Sequence, residues 1–173
     1  MKRMFVLIGM LIVLLLSLPS VGSALDVVSE GKDWEYALSL GYQLHTKEGV
    51  EDAFAGGIRA QKRIAYPLLL GIGLQGAYFQ NIVHAELNAP LSYRIGLGPV
   101  KADAMLIPGA AYAYNFHNKM DKIMGAITPG IELKKFIKKG TSIGIGFYYS
   151  MYTYSQLNNF RFSIVLVFYW RVR

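Results

Sequence analysis

The chain contains no cysteine in 173 residues, which excludes a disulfide framework and any lipid-bearing cysteine. Acidic residues are also scarce, 11 Asp and Glu against 18 Lys and Arg. A basic balance often points to nucleic acid. With the export signal described next, an anionic lipid surface fits better, and no nucleic-acid partner is expected. Beyond the first two dozen residues, no apolar run approaches the ~20 residues that a spanning helix needs. If the chain crosses a membrane, it does so as strands.

What is present begins with a secretory signal. Lys2 and Arg3 form a positive start, Phe5 to Leu18 an apolar run, and Pro19 and Ser20 break it. Gly22 and Ala24 are the small residues that a signal peptidase needs at −3 and −1. Cleavage is expected after Ala24, dividing the chain into a signal peptide (1–24) and one domain (25–173) of 149 residues. An uncleaved anchor is the alternative, and it would need a soluble domain behind it. Without Lys2 and Arg3 the domain keeps 16 basic residues against 11 acidic ones, a formal charge of +5.

The domain alternates between large apolar and small or polar residues. Trp34, Tyr36, Leu38, Leu40, Tyr42 and Leu44 are separated by Glu35, Ala37, Ser39, Gly41 and Gln43. A period of two is a β-strand with one apolar face. About eight such stretches follow one another. The second sets Phe54, Ile58 and Ala60 against Arg59, Gln61 and Arg63. The third sets Leu68 to Tyr78 against Gly71, Gly73, Gln75 and Ala77. Val83 to Tyr93 alternate with His84, Glu86, Asn88, Ser92 and Arg94, and Val100 to Tyr112 with Lys101, Asp103, Met105 and Gly109. The sixth opposes Ile127, Ile131 and Leu133 to Thr128, Gly130, Glu132 and Lys134, before a basic turn at Lys135 to Gly140. The seventh opposes Ile143 to Met151 to Ser142, Gly144, Gly146 and Ser150, and the eighth Phe162 to Trp170 to Arg161, Ser163 and Arg171. Pro90, Pro108 and Pro129 fall inside strands, where bulges are expected to accommodate them.

Two arguments place the apolar face outside. An eight-stranded barrel has an interior just wide enough to be filled by side chains, and roughly five large apolar residues per strand cannot fit there. The other face, rich in glycine and alanine, would make a poor solvated surface. In lipid a charge at mid-depth costs about 2–4 kcal/mol, and the apolar face carries almost none. Aromatic residues gather near strand ends, with Trp34, Tyr36, Tyr93 and Trp170 at one end and Tyr42, Tyr78, Tyr112 and Tyr149 at the other. Such paired girdles mark the two interfaces of a membrane. A closed barrel is also the one strand structure that satisfies every backbone group in hydrocarbon.

With these features the chain resembles the small eight-stranded outer-membrane β-barrels, similar in plan to outer membrane proteins X and W and to the membrane domain of outer membrane protein A. The resemblance implies an all-β, up-and-down antiparallel barrel in the outer membrane, with lipid and the barrel-assembly machinery as partners. Phe168, Tyr169 and Trp170 supply terminal aromatics of the kind that machinery recognises, although Arg171, Val172 and Arg173 follow them. An even strand number puts both termini on the periplasmic side.

Inside the barrel the alternation places Glu35, Arg59, Arg63, His84, Glu86, Arg94, Lys101, Asp103, Glu132, Lys134, Arg161 and Arg171. An unpaired buried charge is costly, so these are expected to form an ion-paired plug. His45, His84 and Glu86 lie toward the outer end but match no metal-ligand spacing, and hydrogen-bonded histidines are favoured. His117, Asp121 and Ser155 alone could imitate a Ser–His–acid site. The resemblance includes lipid A-modifying barrel enzymes, whose His–Ser pattern this chain does not match. No enzyme activity, cofactor or metal is therefore expected. The expected role is structural or one of surface interaction, with an unidentified surface ligand. Transport of small hydrophobic solutes through a lateral opening, at Gly71, Gly73, Gly144 and Gly146, is the alternative.

Overall fold

A computed structural model describes residues 34–47, 49–97, 100–138 and 140–170. The expected signal peptide and its expected cleavage site fall outside the described residues, as does Arg171. Among the described residues there are nine strands: β1 (Trp34–His45), β2 (Ala53–Ala65), β3 (Leu68–Phe79), β4 (Ile82–Asn88), β5 (Leu91–Leu97), β6 (Val100–Asn115), β7 (Met120–Lys138), β8 (Thr141–Tyr152) and β9 (Asn159–Trp170). Every pairing is antiparallel, and β1 pairs with both β2 and β9. β4 and β5 are two halves of one wall strand. Both pair with β3 on one side and β6 on the other. The sheet therefore closes on itself as an eight-stranded barrel without a free edge.

Pro90 explains the break between β4 and β5. It removes one donor from the ladder, and its neighbours restore the seam. Gly71 donates to the Pro90 carbonyl at 3.0 Å and Ala89 to the Pro108 carbonyl at 2.8 Å. Pro108 and Pro129 stay within β6 and β7, and the β6–β7 register runs through both without a shift. The bulges expected at the prolines lie elsewhere, at Arg63/Ala65 and Phe136/Lys138. The expected basic turn at Lys135 to Gly140 is also corrected. β7 runs on to Lys138, because Lys134 and Phe136 continue the inward parity and are both buried.

The apolar face points outward. Phe54 is 80% exposed and Ile123 82%, which no water-soluble barrel would accept of its largest hydrophobic side chains. The girdle residues Tyr36, Tyr42, Tyr78, Tyr93, Tyr112 and Trp170 are exposed, and Trp34 and Tyr149 are half-buried. Register places Trp34 beside Trp170 at the rim where the strands begin and end. At the opposite rim, Phe162, Tyr42, Phe54 and Tyr78 are successive cross-strand neighbours.

Candidate functional site: the charged lumen

The chemistry of this molecule is concentrated inside the barrel, where alternate positions of all the wall strands converge. Asp103 on β6 has Arg94 of β5 as its direct cross-strand neighbour on one side and Glu132 of β7 on the other. Two carboxylates directly opposite each other repel, and Lys134 removes the conflict. Its ammonium lies 2.6 Å from Asp103 Oδ2 and 2.7 Å from Glu132 Oε2.

From this cluster two arginines reach across the lumen. Arg94 donates to both oxygens of Asp103, at 2.7 and 2.6 Å, and with the rest of its guanidinium to the Glu35 carboxylate on β1. Arg59 on β2 makes a bidentate pair with Glu132, both bonds at 2.7 Å. β2 and β7 stand four places apart in the eight-membered ring of strands, so Arg59 and Glu132 tie opposite walls together. The Tyr148 hydroxyl donates to Glu132 as well. The chain Glu35–Arg94–Asp103–Lys134–Glu132–Arg59 alternates in sign and sums to zero. Five of its members are almost wholly buried. Fork-on-fork guanidinium–carboxylate bonds are strong and directional, which fixes both the spacing of the walls and the rotamers that fill the lumen.

Lys101, Arg161 and Glu86 have contacts of other kinds. Lys101 has Lys134 as its cross-strand neighbour and turns toward the terminal rim. There its ammonium lies 4.4 Å from the Phe136 ring centroid and 4.9 Å from that of Tyr169, a cation–π contact where an ion pair was expected. Arg161 packs its guanidinium 4.4 Å from the Tyr148 ring centroid. Glu86 accepts from the Tyr152 hydroxyl at 3.0 Å and from the Asn88 amide at 3.1 Å, so neutral donors hold it. Arg63 is half-buried near the terminal rim. His84 is buried edge-on to Tyr152, at 5.2 Å between ring centroids, and neither ring nitrogen has a hydrogen-bond partner among the described residues.

Apolar clusters flank the charges on both sides. Toward the terminal rim, Ala37, Phe136, Val165, Val167 and Tyr169 pack together, and Tyr169 shares a hydroxyl–hydroxyl bond of 2.9 Å with Ser142. Toward the loop rim, six alanines join Phe79, Met124 and Tyr152, with Leu157 of a short 3-10 turn (Ser155–Leu157) pressed in from above. The inward aromatics Phe136, Tyr148, Tyr152 and Tyr169 escaped the sequence reading. Parity could have found them, since Tyr148 and Tyr152 flank Ser150 at the same two-residue spacing. Their bulk needs space, and glycine supplies it. A Cβ on Gly146 would lie within 2.7 Å of three atoms of the Tyr148 phenol. At Gly71, Gly73 and Gly144, a Cβ would meet Gln61, Asn88 and Lys134 respectively. These glycines therefore make room for lumen side chains rather than opening the wall.

His117, Asp121 and Ser155 are all exposed at the loop rim, and no hydrogen bond joins them. The His117 amide is capped by the Asn115 side chain at 2.9 Å. His45 shares its Nδ1 with the Glu51 carbonyl at 2.7 Å. Among the described residues, no group of three or more His, Asp or Glu converges as a cation site.

No protein-family model matches the chain, and no curated protein sequence does. Among solved structures it is similar to Neisserial surface protein A. It matches that crystal structure with a TM-score of 0.57 at 14% identity, over 79% of this chain and 96% of the other. The crystal structure of Ail, the attachment invasion locus protein of Yersinia pestis, aligns with a TM-score of 0.47 at 11% identity, over 79% and 95%. At such identity the first likeness speaks for the fold alone. That fold is the one the alternation implies, a small eight-stranded barrel of the outer-membrane type.

Proposed function

We propose that this protein is an integral outer-membrane barrel with a closed lumen, acting structurally or through its loop-side surface rather than as a pore or an enzyme. One observation carries the reading. The neutral chain of six charges crosses between opposite walls at the Arg59–Glu132 pair, and a side-chain lattice of that kind obstructs the passage of solute. The apolar clusters at both ends support it, since hydrated ions would have to shed water to pass them. The outward apolar belt with aromatic residues at both rims supports membrane residence. The fold shared with Neisserial surface protein A supports the outer membrane as the location. Lipid and the assembly machinery are the partners this reading requires, and an unidentified surface ligand is its open place.

The test is expression in a porin-deficient Gram-negative strain. The protein should band at outer-membrane density and migrate differently on detergent gels before and after boiling, while uptake of a small hydrophilic solute stays at the level of the empty strain. Recovery in the soluble periplasm would overturn the membrane reading. A several-fold rise in uptake would overturn the closed lumen.

A further inference from the structure

The lipid-facing wall is unevenly covered. Along β2 the outward positions are Phe54, Gly56, Ile58, Ala60, Lys62 and Ile64, so two places in the column carry little or no side chain. The deficit spreads sideways, because Gly56 pairs directly with Gly76 and Gly76 with Ala85. A Cβ on Gly76 would meet nothing nearer than the His84 carbonyl oxygen at 3.6 Å. Two shallow, largely apolar spaces of about 460 and 560 Å³ lie over this part of the wall, one on each side of the cross-strand row Leu38–Ile58–Leu74.

The column has a charged end. Lys62 is exposed on the outer face toward the terminal rim, with its ammonium 5.9 Å from the Trp34 ring centroid. None of the ion pairs among the described residues includes it. A cation on a lipid-facing column is tolerable near an interface and expensive at mid-depth, and an indole beside it marks the headgroup level. Length fits as well. From Lys62 to Gly56 the strand rises about 20 Å at ~3.4 Å per residue. At a strand tilt of ~40° this projects to about 15 Å, half of the ~30 Å hydrocarbon core. The two hollows, at Ala60 and at Gly56 with the Leu38–Ile58–Leu74 row between them, therefore make a furrow from one interface to the midplane, the reach of one acyl chain.

We infer that this furrow holds one anionic glycerophospholipid of the leaflet on the terminal side, its phosphate at Lys62 and one acyl chain laid over Ala60, Ile58 and Gly56. The inference rests on the membrane-spanning reading proposed above. Lys62 supplies headgroup preference, and the missing side chains supply the depth that orders the chain. No other described position of β2 combines an outward cation with two such gaps in the column behind it.

The protein is reconstituted in vesicles of equal phosphatidylglycerol and phosphatidylcholine, extracted in mild detergent and examined by native mass spectrometry. Phosphatidylglycerol should be retained about fivefold over phosphatidylcholine, the preference that one lysine gives near anionic headgroups. Lys62→Gln should abolish the preference. Gly56→Leu combined with Ala60→Leu should lower retention of both lipids, and Ile127→Leu on the far wall should change neither. Equal retention of the two lipids by the parent, or a preference that survives Lys62→Gln, would overturn the inference while leaving the barrel intact. A dimer peak lost in the filled-furrow variant would assign the furrow to a second copy and overturn it too. A parent chain that shows no heat-modifiable migration from any vesicle would sink the membrane reading itself, and the inference with it.

Discussion

The two halves of the lumen are closed by different physics. In the half toward the terminal rim, Glu35, Arg94, Asp103, Lys134, Glu132 and Arg59 neutralise one another, and Lys101 rests on two aromatic rings. In the half toward the loop rim, small alanines and one inserted leucine exclude space, and several buried polar atoms lack protein partners, among them both ring nitrogens of His84 and both amide atoms of Gln43. The first half is cross-linked, since the four inner members of the chain each hold two opposite charges and its ends, Glu35 and Arg59, hold one. In the second, Glu86 is held by the neutral donors Tyr152 and Asn88, and the rest is filled by volume. Ion-paired interiors are costly to build and severe to break, whereas filled ones respond to volume.

The comparison is broken most directly at Asp103. Asp103→Ala leaves Arg94 and Lys134 short of their shared acceptor in a buried site. The expected loss is about 3–5 kcal/mol, the cost typical of removing one partner of a buried pair. Urea unfolding in lipid vesicles measures it, with Trp34 and Trp170, the two tryptophans of the chain, as fluorescent reporters. A loss below about 1 kcal/mol, the level of an exposed pair, would mean that the network is solvated and the contrast false. Gly146→Ala tests packing where the halves meet. The added methyl would press on Tyr148, and overpacking of this kind costs about 1–3 kcal/mol. Unfolding midpoints equal to the parent's would show that Tyr148 is free to move aside. The smallest effect is expected at His84→Leu, with an opposite sign from Asp103→Ala. Replacing an unpartnered buried polar group by an apolar one is neutral or stabilising, here by up to about 1 kcal/mol. Marked destabilisation would reveal a polar role for the loop-side half.

The barrel was legible because membrane strands repeat one simple rule, and Trp34 to Leu44 states it in eleven consecutive residues. Closure followed from the need to satisfy backbone groups in hydrocarbon. Sequence could also place charges on the inward parity, since parity is local. It could not pair them. Arg59 and Glu132 are 73 residues apart, and their contact depends on barrel stagger, which no single strand encodes. Lys101 eluded the reading for a related reason. Its nearest charged neighbour across the ladder is another lysine, so it turns to Phe136 and Tyr169, rings whose inward direction was not recognised. Pro90 and Pro108 misled because their carbonyls still accept from neighbouring donors, so the ladder needs no bulge there.

Planar-bilayer recording of the purified, refolded protein tests the central claim, that a charge network between opposite walls closes this barrel. The claim predicts a flat trace across moderate voltages. Steady single-channel conductance from the unaltered protein would contradict it.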